Sequence, residues 1–240
     1  GDPELLTLKA RAALDRADVV IHDRLIAPAI LELARREATL VEAGKEGFGP
    51  SMAQGDINAL MIRHARKGRH VVRLKSGDPS VFGRLDEETE ALDVEGISFA
   101  VIPGITAASA AAAGIGRSLT RRGRNVEARF LTGHDMKGFA DQDWNALARP
   151  GAVAAIYMGK RAARWMQGRL LMHSADPATP VTVVENASRP ETRTVAATLS
   201  SLADAVEGLD GPAVILLGLA PRDAAAVTLP AGALRQESAR

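Results

Sequence analysis

The sequence predicts an α/β protein in two parts, with a parallel sheet in the first and a mixed sheet in the second. Three observations predict it. Short β-branched runs alternate with helix-length amphipathic segments from Asp18 to Ala113, the rhythm of right-handed βαβ units. That rhythm breaks at a stretch rich in glycine and arginine, Gly114 to Arg124, which reads as a domain boundary. Beyond it, the runs Val181 to Glu185 and Thr192 to Ala197 are separated only by Asn186 to Glu191. Such a connection fits a hairpin and is too short for a parallel crossover, so the second sheet must contain antiparallel pairs. The expected domains are residues 1–115 and 116–240, with a loosely held tail from about residue 222.

In chain order, Gly1-Asp2-Pro3 reads as a loop and Leu8 to Ala17 as a helix. Asp18 to Asp23 is a β-branched strand ending on a polar pair. Pro28 suits a first helical turn, continued by Ala29 to Arg36. Thr39 to Glu42 is a short strand, followed by a glycine-rich loop carrying Lys45. Asp56 opens a helix whose apolar residues Ile57, Leu60, Met61 and Ala65 fall on one face. Val71 to Leu74 is the next strand. An acidic helix starts near Asp86, Glu87 and Glu88, where negative side chains favour the N-terminal end of the dipole. Ile97 to Ile102 is expected as a further strand and Thr106 to Ala113 as a small-residue helix. The second part should hold strands at Val126 to Leu131, Ala152 to Tyr157, Val181 to Glu185, Thr192 to Ala197 and Val214 to Leu217. Its helices should lie near Trp144 to Ala148, Lys160 to His173 and Leu199 to Glu207.

Composition removes several function classes. Thirty Lys and Arg against 29 Asp and Glu leave a formal charge of +1, so no global field draws DNA or an anionic membrane. The absence of cysteine excludes disulfides, thiolate metal sites and a cysteine nucleophile, and is compatible with a cytoplasmic protein. Apolar runs are shorter than the roughly 18 residues of a membrane span, and no signal peptide is visible. The five histidines show no HExxH or similar spacing. Gly77 to Arg84 and Gly44 to Gly49 match neither the Walker nor the dinucleotide pattern. A nucleophile elbow is absent, and 3% aromatic residues leave few stacking platforms for nucleic acid.

The stretch from Val71 to Glu88, VVRLKSGDPSVFGRLDEE, organises what remains. Strand, glycine loop and helix is the arrangement in which α/β sheets bind ligands, beyond the carboxyl ends of their strands. An ordinary βα turn with Gly77, Pro79 and Gly83 as punctuation is the competing interpretation. Asp23, Lys45, Asp78, Arg84 and Glu87 each follow a predicted strand, and in a parallel sheet those positions converge on one edge.

Blocks along nearly all of residues 1–220 resemble the tetrapyrrole methylase family, and within it the uroporphyrinogen-III C-methyltransferases. The blocks are GDPELLTLKA, ADVVIHDRL, VVRLKSGDPSVFGR, VIPGITAAS, LTGH, YMGK, VENAS and GPAVILLG, in that order. The resemblance implies a class III methyltransferase fold, two α/β domains with a cleft between them, acting as a homodimer. It implies S-adenosyl-L-methionine as methyl donor, S-adenosyl-L-homocysteine as its product, no metal, and a small-molecule tetrapyrrole as acceptor. Carried over, the donor site uses Ser76, Gly77, Asp78, Thr106, Ala107, Met158, Ala187 and the turn Gly211, Pro212, Ala213. Asp23 takes the position of a proton acceptor and Lys45 that of a proton donor, while Arg84 and Glu87 hold and deprotonate the porphyrinogen. The family also carries a strand and a glycine-proline loop before Gly1, so the first strand is expected to be missing here.

The chemistry agrees with that resemblance. Methyl transfer from a sulfonium is an in-line displacement that needs alignment and exclusion of water, and a base accepts the proton that the methylated macrocycle must lose. A polycarboxylate acceptor calls for a basic cleft, for which Arg24, Lys45, Arg84, Arg117, Arg121, Arg122 and Arg124 are the candidates; a solvated interdomain loop is the plainer explanation of the run from Arg117. Three positions depart from the family pattern: His22 replaces a tyrosine, Ser76 a glycine, and Leu85-Asp86 a glycine pair. Three alternatives to C-methylation of uroporphyrinogen III stay open: a later precorrin methylase, a relative that methylates ribosomal RNA, and a tetrapyrrole binder without turnover.

Overall fold

A computed structural model describes residues 1–43 and 52–222. Lys45 and the tail beyond residue 222 lie outside the described residues. Asp2 caps a 3-10 turn at Pro3–Leu5, and Thr7 caps helix α1 (Leu8–Arg16) by accepting from the Ala10 N–H. The first sheet contains β1 (Val19–His22), β2 (Thr39–Glu42) and β3 (Val71–Leu74) in the order β2-β1-β3, all parallel. Successive side chains of the central strand face opposite sides. Val20 packs with Leu14 of α1, Ile26 of the loop after β1 and Ile30 of α2 (Pro28–Leu31). Val19 and Ile21 pack with Ile57, Leu60 and Met61 of α3 (Gln54–Ala65). The sheet is therefore covered on both faces, as parallel sheets require. Helix α4 (Leu85–Val94) follows the β3 loop, and α5 (Ala107–Gly114) precedes the second sheet.

That sheet contains β4 (Arg129–Thr132), β7 (Ala154–Tyr157), β8 (Pro180–Glu185), β9 (Arg193–Thr198) and β10 (Ala213–Leu217), in the order β4-β7-β10-β8-β9. Only β4 and β7 run parallel. One face, with Ile156, Val183, Ile215 and Leu217, packs under α6 (Trp144–Leu147), α7 (Ala163–Met172) and α8 (Leu202–Ala205). The other, with Ala155, Val184, Val214 and Leu216, takes Ala108, Ala111 and Ile115 of α5 and the residue that follows it. The small side chains of α5 thus let its backbone lie close to the second sheet. A two-stranded ribbon, β5 (His134–Asp135) with β6 (Gly138–Phe139), stands apart; its two-residue strands are too short to register as an alternating pattern in sequence.

The α/β class, the parallel first sheet and the mixed second sheet agree with expectation, and β8–β9 is the hairpin predicted. Three elements differ. Ile97 to Ile102 forms no strand: it pairs with no strand among the described residues, and Phe99 and Val101 stay 43% and 42% exposed. Backbone alone does not make a strand without a ladder partner. The helix expected through Arg36 stops at Leu31 because the following N–H groups turn back three residues and Arg35 reaches out to Ala17 O and the Asp18 carboxylate. The helix expected at Leu199 to Glu207 divides into a 3-10 turn, Leu199–Ser201, and the short α8.

Candidate active site

The site is built where two loops cross. After β3 the chain turns at Gly77 (φ +74°), and Asp78 accepts from the Ser80 N–H at 2.8 Å and from the Gly104 N–H at 3.0 Å. A Cβ on Gly104 would stand 2.1 Å from Gly77 O, so the two backbones touch there and only glycine fits. Burial opposes ionisation of Asp78. The bonds from the Ser80 hydroxyl and from the two N–H groups outweigh it and hold the carboxyl below its ordinary range.

The second sheet supplies the opposite wall. Tyr157, at the end of β7, bonds through its hydroxyl with Thr106 Oγ1 and accepts from the Ala108 N–H at 3.0 Å, capping the start of α5. Its ring lies 5.1 Å from that of Phe82. Met158 follows in a left-handed conformation, φ 53°. Beyond β8, Asn186 donates to Pro212 O at 2.8 Å. Buried Glu185 accepts from the Gly211 N–H at 2.6 Å, and Lys160 Nζ donates to Leu209 O and Gly211 O. The 211–213 turn is therefore fixed from both sides.

These walls form part of the lining of a cavity of about 1400 Å³, which also runs along α1, β3 and residues 97–102. Ser76, Gly77, Asp78, Thr106, Ala107, Met158, Ala187, Pro212 and Ala213 all line it. Its lining also includes Lys9, Arg69, Arg73, Lys75, Arg161 and Arg189, so a basic cleft is present in a nearly neutral protein. Cations of the run from Arg117 to Arg124 contribute nothing to that lining. Arg117 and Arg124 instead donate to backbone carbonyls of Ala220, Pro221, Ser118 and Leu119, anchoring their own loop. Arg24 pairs with Glu42 at 3.2 Å.

A smaller cavity of about 220 Å³ adjoins the first through Leu25, Arg73, Lys75, Ser76, Val81 and Phe82, and it brings Asp23 and Arg84 together. Asp23 Oδ1 accepts from the Leu25 N–H at 2.8 Å. Arg84, left-handed at φ 55°, forms a two-pronged pair with Glu87 at 2.8 and 2.6 Å. Both are about half exposed. The bond to Arg84 holds the Glu87 carboxyl below its ordinary range. Glu87 itself lines neither cavity. His22 is buried against the Asp23 carbonyl, 3.1 Å from its Nδ1, and also lines neither.

Several residues of this site escaped the sequence reading. Arg73 Nε and Lys75 Nζ reach the two oxygens of buried Glu88 at 2.9 and 2.6 Å. Burial pulls the Lys75 pKa down, and the pair with Glu88 only partly restores it. The signal was present: cations at alternate positions of an otherwise apolar strand share a face. Tyr157 is the chain's single tyrosine, and Phe82 sits inside the loop already singled out. Among the described residues no group of His, Asp and Glu is arranged to hold a metal, and no helix is long and apolar enough to cross a membrane.

Comparison with known proteins identifies the fold and the family. The Thermus thermophilus uroporphyrin-III C-methyltransferase complexed with S-adenosyl homocysteine superposes with a TM-score of 0.77 at 37% identity, covering 91% of this chain and 93% of that one. Cobalt precorrin-4 methyltransferase superposes with a TM-score of 0.81 at 25% identity, covering 91% and 90%. Siroheme synthase 2 of Aeromonas hydrophila is 42% identical over 218 residues, 91% of this chain but 46% of that protein. Siroheme synthase of Neisseria meningitidis serogroup C is 44% identical over 218 residues, again 91% against 45%. The chain thus spans about half the length of these relatives. The family model for tetrapyrrole (corrin/porphyrin) methylases matches residues 1–203, and the chain belongs to that family.

Proposed function

We propose that the chain transfers methyl groups from S-adenosyl-L-methionine to C2 and then C7 of uroporphyrinogen III, giving precorrin-2 by way of precorrin-1. The observation that carries this reading is the convergence of nine of the ten expected donor-site residues, all but Gly211, on one cavity that adjoins a second holding Asp23 and Arg84. The donor supplies an electrophilic methyl on a sulfonium. The Gly77–Gly104 crossing, the α5 start held by Tyr157 and the fixed 211–213 turn form a rigid, largely backbone wall suited to aligning it. The apolar rings of Phe82 and Tyr157 limit water at the junction of the two cavities. Each transfer adds a methyl cation and releases one net proton, which Asp23 accepts; a proton donated to the macrocycle by Lys45 is matched by a second that the macrocycle loses to Glu87, and Arg84 orients the macrocycle at the mouth.

A homodimer, a cytoplasmic location and the division near residue 115 belong to the same reading. Service to siroheme or cobalamin synthesis follows from the product. Incubating the protein with donor and uroporphyrinogen III tests it. A dimethylated, oxidisable product is expected, and no methyl incorporation overturns it. Methylation of a precorrin instead would favour a second reading, for which the good superposition on cobalt precorrin-4 methyltransferase speaks. The higher identity to the uroporphyrin enzyme favours the first.

A further inference from the structure

The least expected charge arrangement lies under the junction of the two cavities. Arg73 and Lys75 share one face of β3 and its extension, and both bind one carboxylate, Glu88 of α4. Gln54 also donates to Glu88 Oε1, at 3.3 Å. Two cations against one anion leave a surplus positive charge, with the Lys75 and Glu88 side chains only 9% and 4% exposed. A charge so shielded requires a counter-ion. The other charged groups lining the smaller cavity are Asp23, which interacts electrostatically with Lys75, and Arg84, whose fork is taken by Glu87. Gly83 lies against the lysine stem: a Cβ there would stand 3.2 Å from Lys75 Cε. Lys75 lines both cavities, and Glu88 is the hydrogen-bond partner of its ammonium among the described residues.

We infer that Lys75 is an anchor for a carboxylate of the acceptor, held at the junction by Glu88, which Arg73 fixes in turn, so that the bound macrocycle lies between Asp23 and the donor wall. Lys75 has N–H donors beyond the one given to Glu88, and a carboxylate there neutralises the surplus charge of the Arg73–Glu88–Lys75 group. The inference rests on the proposed acceptor class. The amino-acid end of the donor also carries a carboxylate, and the two sources separate experimentally.

Binding of uroporphyrin III, followed by fluorescence, and of S-adenosyl-L-homocysteine, followed by calorimetry, would be compared in wild type, Lys75→Met and Lys75→Arg. The expected result is about tenfold weaker uroporphyrin binding in Lys75→Met, the effect of losing one charge-assisted bond. Homocysteine-adduct binding should not change, Lys75→Arg should recover most of the loss, and KM for uroporphyrinogen III should rise more than kcat falls. Lys75→Gln, which keeps a donor for Glu88, serves if the Met variant does not fold. Unchanged uroporphyrin affinity in these variants, or loss confined to S-adenosyl-L-homocysteine, overturns the anchor while leaving methylation of uroporphyrinogen III intact. Failure of the wild type to bind uroporphyrin III overturns the acceptor class, and the anchor with it.

Discussion

The two sheets divide the work unequally. In the second, five of the six residues of β8 and four of the five of β10 are buried, and α5 and α6 to α8 close its faces. In the first, only β1 is buried throughout; β2 is mostly exposed, β3 is half-buried, and the outer edge of β3 borders the large cavity. Stability is concentrated where side chains are enclosed on both faces, and polar chemistry where a strand end stays open. Buried carboxylates obey the same division: Glu185 fixes a backbone turn in the second sheet, whereas Glu88 gathers two cations beside a cavity in the first.

Substitutions that separate stability from turnover would break this contrast if it is mistaken. Asp23→Ala should cut turnover at least about 100-fold, as expected for loss of a general base. It removes one hydrogen bond to Leu25, so stability should change by about 1 kcal/mol or less, and donor affinity should hold. Steady-state kinetics beside calorimetry decides the matter, and equal losses in turnover and donor affinity contradict the role. Leu216→Ala in the enclosed β10 should do the opposite and lower unfolding free energy by about 2–5 kcal/mol. Val71→Ala on the open strand should cost about 1 kcal/mol. Denaturant melts of both variants compare the two sheets directly.

Two smaller effects sharpen the account of the loop crossing. Gly104→Ala should destabilise by about 1–3 kcal/mol and weaken S-adenosyl-L-homocysteine binding, because the new methyl meets Gly77 O. Gly55→Ala, in α3 with nothing within 4 Å of the added carbon, should instead stabilise by about 0.5–1 kcal/mol. Acid should loosen the same crossing. The depressed Asp78 pKa contributes stability above the ordinary aspartate value, and that contribution is lost as pH falls through the lower folded value. Donor affinity should therefore decline only below about pH 4, and Asp78→Asn should remove that step. Least of all, Arg84→Ala should change stability by about 1 kcal/mol or less, since the pair with Glu87 is solvent-exposed; its expected cost is in acceptor KM.

Much of this architecture was legible in the chain. The β-branched runs at Val19, Val71, Val181 and Val214 mark strands because buried positions demand apolar branched side chains at a fixed period. The connection from Asn186 to Glu191 marked the hairpin because so short a link cannot cross over. Ile97 to Ile102 misled for a physical reason: its composition is that of a strand, but a strand exists only with a neighbour to complete its ladder. The arginine run misled likewise, since charge along the chain does not say whether a guanidinium meets solvent, a ligand or backbone carbonyls.

The sequence by itself determined the fold class and the order of most elements, because these depend on local periodicity and turn chemistry; the proposed donor-site residues came from the resemblance to a family. Only the tertiary structure decided which cations face the cavity, that Gly104 rests on Gly77, that Tyr157 caps α5, and that Arg73 and Lys75 share one buried carboxylate. Each of those contacts joins segments distant along the chain, and the geometry and desolvation that set their strength exist only once those segments are packed together.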